Sequence, residues 1–249
     1  MTMHALLALA LAKKNALKVI SGLNNKNSDR VISVVKAAEA GGATFVDIAV
    51  EPNLVKTVRS ITDLPICVSA VEPELFVPAV EAGADLVEIG NFDSFYARGI
   101  RFEAEEVLAM TRQTRSLLPN ITLSVTVPHI LALDEQVSLA EALVNAGANI
   151  IQTEGGTSIQ PVSSGVQGLI EKATATLAAA SSISRAVDVP VLCASGLSSV
   201  TVPMAIAAGA SGVGVGSAIS RLDNEVAMVA VVRGLVEALE QRSNTKVIR

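Results

Sequence analysis

The sequence predicts an α/β protein, a single (β/α)8 TIM barrel occupying residues 1–249, with a short leader helix (1–16) and a polar tail (242–249). Three observations predict it. Short apolar runs alternate with helical stretches along the whole chain, giving eight of each. A repeat marks the joins. Ala40-Gly41-Gly42-Ala43, Ala82-Gly83-Ala84, Ala146-Gly147-Ala148 and Ala208-Gly209-Ala210 each end a helix and open an even-numbered strand. Leu64-Pro65, Leu118-Pro119 and Val189-Pro190 precede odd-numbered strands. The length of 249 residues suits one such barrel, and no linker or composition shift divides it. An open doubly wound sheet shares the alternation, but eight units and the repeat favour closure.

The elements follow in order. An apolar helix over 3–15 is expected to plug the barrel floor. Its run 5–12 has no basic segment before it, and Lys13 and Lys14 follow it, so it reads as part of the mature fold. Strand one covers 17–22. Ser28 or Asp29 caps helix one, which carries Val31, Val34, Val35 and Ala38 at helical spacing and ends at Gly41-Gly42. Strand two (44–49), helix two from Pro52, strand three (65–70), helix three (73–83) and strand four (85–90) follow. The connection 91–102 holds Phe92, Phe95, Tyr96, Phe102, Arg98 and Arg101 and is either a lid reaching an anion or a packed loop. Helix four (103–117), strand five (121–127), helix five (134–145) and strand six (149–154) come next. A Gly/Ser-rich connection, 155–168, is a second lid candidate. Helix six (170–187), strand seven (189–194), helix seven (202–208), a glycine-rich strand eight and helix eight (225–241) complete the pattern.

Composition narrows the function. Half the residues are hydrophobic but only 2% are aromatic, so the core is aliphatic. A net charge of -5 argues against nucleic acid or an anionic membrane as partner. No stretch reaches the roughly 18 apolar residues of a membrane span. Cys67 and Cys193 lie far apart in apolar runs, which suits free thiols in a reducing compartment.

Two turns point to a phosphate. Ser195, Gly196 and Leu197 follow strand seven, and Gly214, Gly216 and Ser217 follow along strand eight. Glycine lets the backbone approach an anion, and barrels frequently hold phosphate in these two loops. A side chain at Gly216 is expected to obstruct the approach and to demand a forbidden backbone angle. Alternatively, the glycines serve only close helix–strand packing.

Strand alternation sends Lys18, Ile20, Asp47, Cys67, Ser69, Glu88, Ser124, Thr126, Gln152 and Glu154 into the barrel, and Cys193 and Ser195 on strand seven. Buried charges persist as mutual partners or as functional groups. The catalytic candidates are therefore Lys18, Asp47, Glu88 and Glu154, with His129 at the end of strand five. Lys18 has two options, an imine with a carbonyl or an ion pair as ammonium. The carboxylates suit proton transfer beside a carbonyl, and His129 either joins them as acid or base or serves only as a loop or helix-capping residue. Asp and Glu could hold Mg²⁺, but nothing in the spacing requires it, and without a histidine cluster a zinc site is not expected, so no metal is predicted.

Lys18-Val19-Ile20-Ser21-Gly22-Leu23-Asn24-Asn25, Gly42–Ala49, Leu86-Val87-Glu88-Ile89-Gly90-Asn91-Phe92-Asp93-Ser94-Phe95-Tyr96 and Gln152-Thr153-Glu154-Gly155 resemble the cyanobacterial and plastid family of hypothetical chloroplast reading frame number twenty-three. The resemblance implies a barrel in the cyanobacterial cytoplasm or plastid stroma and carries no catalytic assignment. The residues themselves suggest a lyase or isomerase acting on a small phosphorylated metabolite. FMN in the same turns, or a non-catalytic sensor of such a metabolite, is the alternative. Seven consecutive apolar residues, Val226–Val232, cover every side of helix eight and predict a homo-oligomer.

Overall fold

Runs of β-branched and aliphatic residues form eight parallel strands in the computed structural model, in which residues 3–96, 98–155 and 160–240 are described. They are β1 (Ala16–Ile20), β2 (Phe45–Ala49), β3 (Ile66–Ala70), β4 (Leu86–Ile89), β5 (Thr122–Thr126), β6 (Ile150–Gln152), β7 (Val191–Ala194) and β8 (Gly212–Val215). The strands pair in sequence order, and β8 closes on β1 with Ala16 opposite Gly212 and Lys18 opposite Gly214. The protein is a TIM barrel.

The helices are α1 (Ala5–Ala12), α2 (Ser28–Gly41), α3 (Pro52–Arg59), α4 (Phe76–Glu81), α5 (Asp93–Tyr96), α6 (Ala104–Leu117), α7 (Leu133–Asn145), α8 (Gly165–Ile183), α9 (Val202–Ala207), α10 (Ser217–Ser220) and α11 (Glu225–Glu240). A short 3-10 turn, Pro73–Leu75, precedes α4. Two caps show how local sequence fixes the ends. Asn27, one residue before the expected cap, accepts from the Arg30 N–H, and Gly42 ends α2 at φ 87°. Glu103 and Glu106 form a reciprocal capping box on α6.

Outward strand residues such as Val19, Val46, Val68, Val87, Leu123 and Val213 are buried against Val34, Val35, Val55, Leu143, Ile183 and Val232 of the helices. Inside, the floor is apolar. Leu7 and Leu11 of α1 pack on Ala16, Phe45, Cys67, Leu86, Ile150 and Leu192, so the leader helix closes the bottom of the barrel. Burying each leucine contributes about 1.5–3 kcal/mol. The outer face of α1 leaves Leu6 and Leu9 more than half exposed.

One facing is corrected. On β7, Leu192 and not Cys193 points inward. Cys193 packs outside, its Sγ 3.5 Å from Thr176 Oγ1. Val191–Ala194 is buried on both faces, so its sequence has no alternation to read. Only pairing with β8, which places Leu192 opposite Gly212, sets the face.

Candidate functional site

Above the floor lies a layer of buried polar side chains. Lys18 Nζ is 2.6 Å from Glu88 Oε2, 3.0 Å from Asp47 Oδ2 and 3.0 Å from Gln152 Oε1. Ser69 donates to Asp47 Oδ1 at 2.6 Å, and Ser124 donates to Glu88 Oε2 at 2.8 Å. Gln152 Nε2 donates to Glu88 Oε1 and Thr126 Oγ1. Six strands, β1 to β6, supply this network, because Lys18, Asp47, Ser69, Glu88, Ser124, Thr126 and Gln152 all face inward. Burial opposes the Lys18 ammonium, yet Asp47 and Glu88 outweigh it and raise its pKa. Burial, with Asp47 adding, raises the Glu88 pKa against the pull of Lys18. Lys18 is therefore held as an ammonium, and the ion pair is the option its surroundings favour over the imine.

The barrel mouth opens above this layer as a cavity of about 490 Å³. Ile20, Gly22 and Asn25 line one side, Asn91, Asp93, Gln152 and Glu154 another, and Ser195, Gly196, Leu197, Gly214, Gly216 and Ser217 a third. All six residues expected to hold phosphate thus share one wall. Lys18, Asp47 and Glu88 do not line the cavity; the Gln152 amide, which does, bonds to Lys18 and Glu88. Ser195 takes φ 79° and Gly196 φ 72°. A left-handed serine is uncommon and persists where its surroundings hold it. Here its hydroxyl donates to Asp93 Oδ2 at 3.3 Å. The backbone N–H groups of Gly196, Leu197, Ser217 and Ala218 have no acceptor among the described residues. Space at Gly214 is tight, since a Cβ would lie 3.0 Å from that of Ala194 and 3.2 Å from Ile20 Cδ1.

Gly216 differs from expectation. Its φ is -115°, an angle open to any residue, and a Cβ there would meet Ile20 Cβ at 3.5 Å, an ordinary contact. Packing alone therefore leaves room for a side chain here.

At the rim, β4, β5 and β6 bring together Asp93, His129 and Glu154. Glu154 Oε1 accepts from Tyr96 Oη at 2.8 Å and from the His129 N–H at 3.2 Å, and lies 2.8 Å from His129 Nδ1. Glu154 Oε2 accepts from the Asp93 N–H at 3.2 Å. The short helix α5 inside the 91–102 connection places Asp93 and Tyr96. Phe102 packs tilted on Phe92 and edge-to-face on Phe95, which anchors that segment. Arg98 lies over the Phe95 ring, and neither Arg98 nor Arg101 lines the cavity. Burial would lower the His129 pKa, but the hydrogen bond and charge of Glu154, with Asp93 adding, raise it. Burial and Glu154 raise the Tyr96 pKa. The ligating atoms of Asp93, His129 and Glu154 lie within 4.8 Å of one another, near enough to share a divalent ion. Glu154 Oε1 is already engaged by three protein groups, so an ion there competes with that network.

Residues 3–245 match the family described as "Protein of unknown function (DUF561)". The chain belongs to the DUF561 family. Its relatives include the uncharacterised protein ycf23 of Cyanophora paradoxa, 47% identical over 221 residues that cover 88% of this chain and 90% of the relative. The ycf23 protein of Pyropia yezoensis is 38% identical over 246 residues, covering 99% and 90%. Among solved structures, 3-hexulose-6-phosphate synthase superposes on this DUF561 chain with a TM-score of 0.65 at 16% identity, covering 90% of this chain and 99% of that one. The (S)-3-O-geranylgeranylglyceryl phosphate synthase of Thermoplasma acidophilum, in complex with sn-glycerol-1-phosphate, gives 0.64 at 15%, covering 96% and 100%. Thiamine phosphate pyrophosphorylase from Pyrococcus furiosus gives 0.62 at 18%, covering 93% and 98%. At these identities the likeness shows the fold.

Sequence reasoning missed Asp93, Asn91 and Gln152 as wall residues. Asn91 and Asp93 directly follow the inward Glu88 and Gly90 at a strand's C-terminal end, the place in a barrel where function gathers. Gln152 was legible as inward, but its bridging role needs three partner strands at once. Residues 156–159 of the second lid candidate lie outside the described residues.

Proposed function

We propose that this DUF561 protein is an enzyme of the lyase or isomerase kind that binds a small phosphorylated metabolite at the C-terminal mouth of the barrel. One observation carries the reading: the turns after β7 and β8, whose Gly196, Leu197, Ser217 and Ala218 N–H groups have no acceptor among the described residues, line a single cavity that two carboxylates also line. Backbone N–H groups in such turns suit a phosphate oxygen. Glu154, backed by His129 and Tyr96, is placed to move a proton at the ligand's reacting carbon. The Lys18–Asp47–Glu88 layer fixes the wall beneath. Three solved neighbours whose names include phosphorylated compounds support the reading by analogy.

The ligand side is tested by calorimetry with orthophosphate and a panel of phosphorylated metabolites. Heat from the phosphorylated compounds and none from their dephosphorylated counterparts is expected; equal heats sink the reading. The chemical side is tested with Glu154→Gln, which should retain phosphate binding and lose turnover. A folded Glu154→Gln variant with full turnover removes Glu154 from the chemistry, and a panel that binds without any turnover favours a sensor.

The apolar part of the wall, Ile20, Leu23, Leu197 and Val215, also favours FMN as an occupant, with its phosphate in the same turns. Purified protein that is colourless and takes up no added FMN removes that reading. We further propose that the protein is a homo-oligomer of the cyanobacterial cytoplasm or plastid stroma. Among the described residues no helix is long and apolar enough to cross a membrane.

A further inference from the structure

Strained backbone on the cavity wall gathers around Asp93. Among the described residues Lys14, Asn91 and Ser195 are the non-glycine residues at positive φ, and Asn91 (φ 62°) and Ser195 (φ 79°) both line this cavity. A serine kept in the left-handed region, where glycine would sit without strain, points to a use for its side chain. The Ser195 hydroxyl donates to Asp93 Oδ2 at 3.3 Å. The Ser195 backbone belongs to the turn after β7, where the Gly196 and Leu197 N–H groups have no acceptor among the described residues.

Asp93 passes this contact on. Its N–H donates to Glu154 Oε2 at 3.2 Å, and its Oδ1 lies 3.5 Å from His129 Nδ1. Asp93 also opens α5, the single turn that ends at Tyr96, whose hydroxyl donates to Glu154 Oε1 at 2.8 Å. A shift of Asp93 therefore acts on both oxygens of Glu154, on Oε2 through its own N–H and on Oε1 through Tyr96 and His129. Asp93 has a further interaction, and Arg101 acts electrostatically on Tyr96. Ser195 is thus one of several groups that hold this cluster. It is the one whose backbone also forms the turn after β7.

We infer that Ser195 is a positioning residue: phosphate held at the turn after β7 sets the Ser195 hydroxyl on Asp93, and through Asp93 aligns Glu154 and His129 for proton transfer. The inference rests on the phosphate reading above and deepens it, because the anionic end of the ligand then regulates the acid–base cluster. The coupling is reciprocal, so the cluster in turn strengthens phosphate binding. The phosphate of a substrate contributes to turnover and not only to affinity, and a ligand without it loses rate even at saturation.

Tyr96 is the only tyrosine and the chain has no tryptophan, so fluorescence excited at the phenol band reports Tyr96 and its bond to Glu154. The probe is orthophosphate, added at constant pH and at an ionic strength matched with chloride, with binding measured separately by calorimetry. In the parent protein saturating phosphate is expected to change Tyr96 emission and to shift the His129 imidazole NMR signals. Ser195→Gly accepts the positive φ and deletes the hydroxyl. It is expected to bind phosphate at least about fivefold more weakly, for want of the coupling, and at saturation to lose both responses. Responses retained in phosphate-bound Ser195→Gly mean that the ion acts on the cluster through its field alone, and they overturn the inference. A folded Ser195→Gly protein that takes up no phosphate overturns it too, since the hydroxyl then serves the ion itself. Ser195→Ala, which deletes the same hydroxyl and keeps the Cβ, makes the comparison if the glycine variant fails to fold by circular dichroism. Phosphate binding by the parent without either response overturns the inference and leaves the phosphate reading standing. Absence of any phosphate binding by the parent overturns the phosphate reading, and this inference falls with it.

Discussion

The amide oxygen of Gln152 sits 3.0 Å from the ammonium of Lys18, and this contact separates the charged interior of the barrel from its cavity. Gln152 reaches both levels; Lys18 reaches one. The same side chain also donates to Glu88 and Thr126, so its three bonds tie β1, β4 and β5 to β6.

Removing that amide should be costly. Gln152→Leu keeps approximate volume but leaves Lys18 and Glu88 each short of a partner, for an expected loss of about 2–4 kcal/mol. Lys18→Met should cost about 3–5 kcal/mol, because Asp47 and Glu88 then face each other without their counter-charge. Urea unfolding of both variants checks the order; a Lys18→Met protein as stable as the parent would show that the layer is not an ion-pair network.

Lys18 should resist imine formation. Its neighbours hold the ammonium, and no part of it is exposed. Borohydride treatment with aldehyde and ketone phosphates should leave Lys18 unmodified by mass spectrometry. A reduced adduct on Lys18 would show that Gln152 moves aside and exposes a neutral amine.

His129 should titrate above its ordinary value of 6.5, because Glu154 and Asp93 favour its charged form. With the folded pKa raised, its contribution to stability is fully present below the unfolded value and is lost as pH rises through the folded one. Imidazole NMR signals should show the raised midpoint, and Glu154→Gln should lower it. A midpoint unchanged by that substitution would break the link between the two residues.

The phosphate turns give a paired test. Gly216→Ala meets no clash and no unfavourable φ, so its melting temperature should stay near that of the parent while affinity for glycerol 3-phosphate falls about tenfold. Gly196→Ala should destabilise by more than about 1 kcal/mol, since alanine is strained at positive φ. Its Cβ would also lie 2.5 Å from the Lys172 carbonyl oxygen. Unchanged binding in Gly216→Ala would mean that no ligand approaches the backbone there.

Much of the barrel was legible because its signals are local. The Ala-Gly-Ala joins mark helix ends with positive-φ glycines, as Gly83, Gly147 and Gly209 show at φ 115°, 101° and 111°. Alternation correctly placed Lys18, Asp47, Glu88 and Gln152 inside, where each polar residue interrupts an apolar strand. It misread Cys193, whose strand is apolar on both faces. Height along the barrel axis was not legible at all. Whether an inward residue meets the cavity or lies beneath it depends on stagger between strands, which is why Lys18 and Gln152 differ. The grouping of Asp93, His129 and Glu154 spans three βα loops, and no spacing within one of them foretells it.

The plug at the floor also sets an order of events. Leu7 and Leu11 are among the earliest described residues to be synthesised, yet they rest partly on Ile150 and Leu192. The ring that holds them closes only when β8 pairs with β1, near the end of the described chain. During synthesis the leader helix has no complete seat, and its leucines stay solvent-accessible for most of translation. A chaperone that engages nascent apolar segments should therefore crosslink to residues 5–12 on ribosome-bound chains that end before β8, and release them once β8 has emerged.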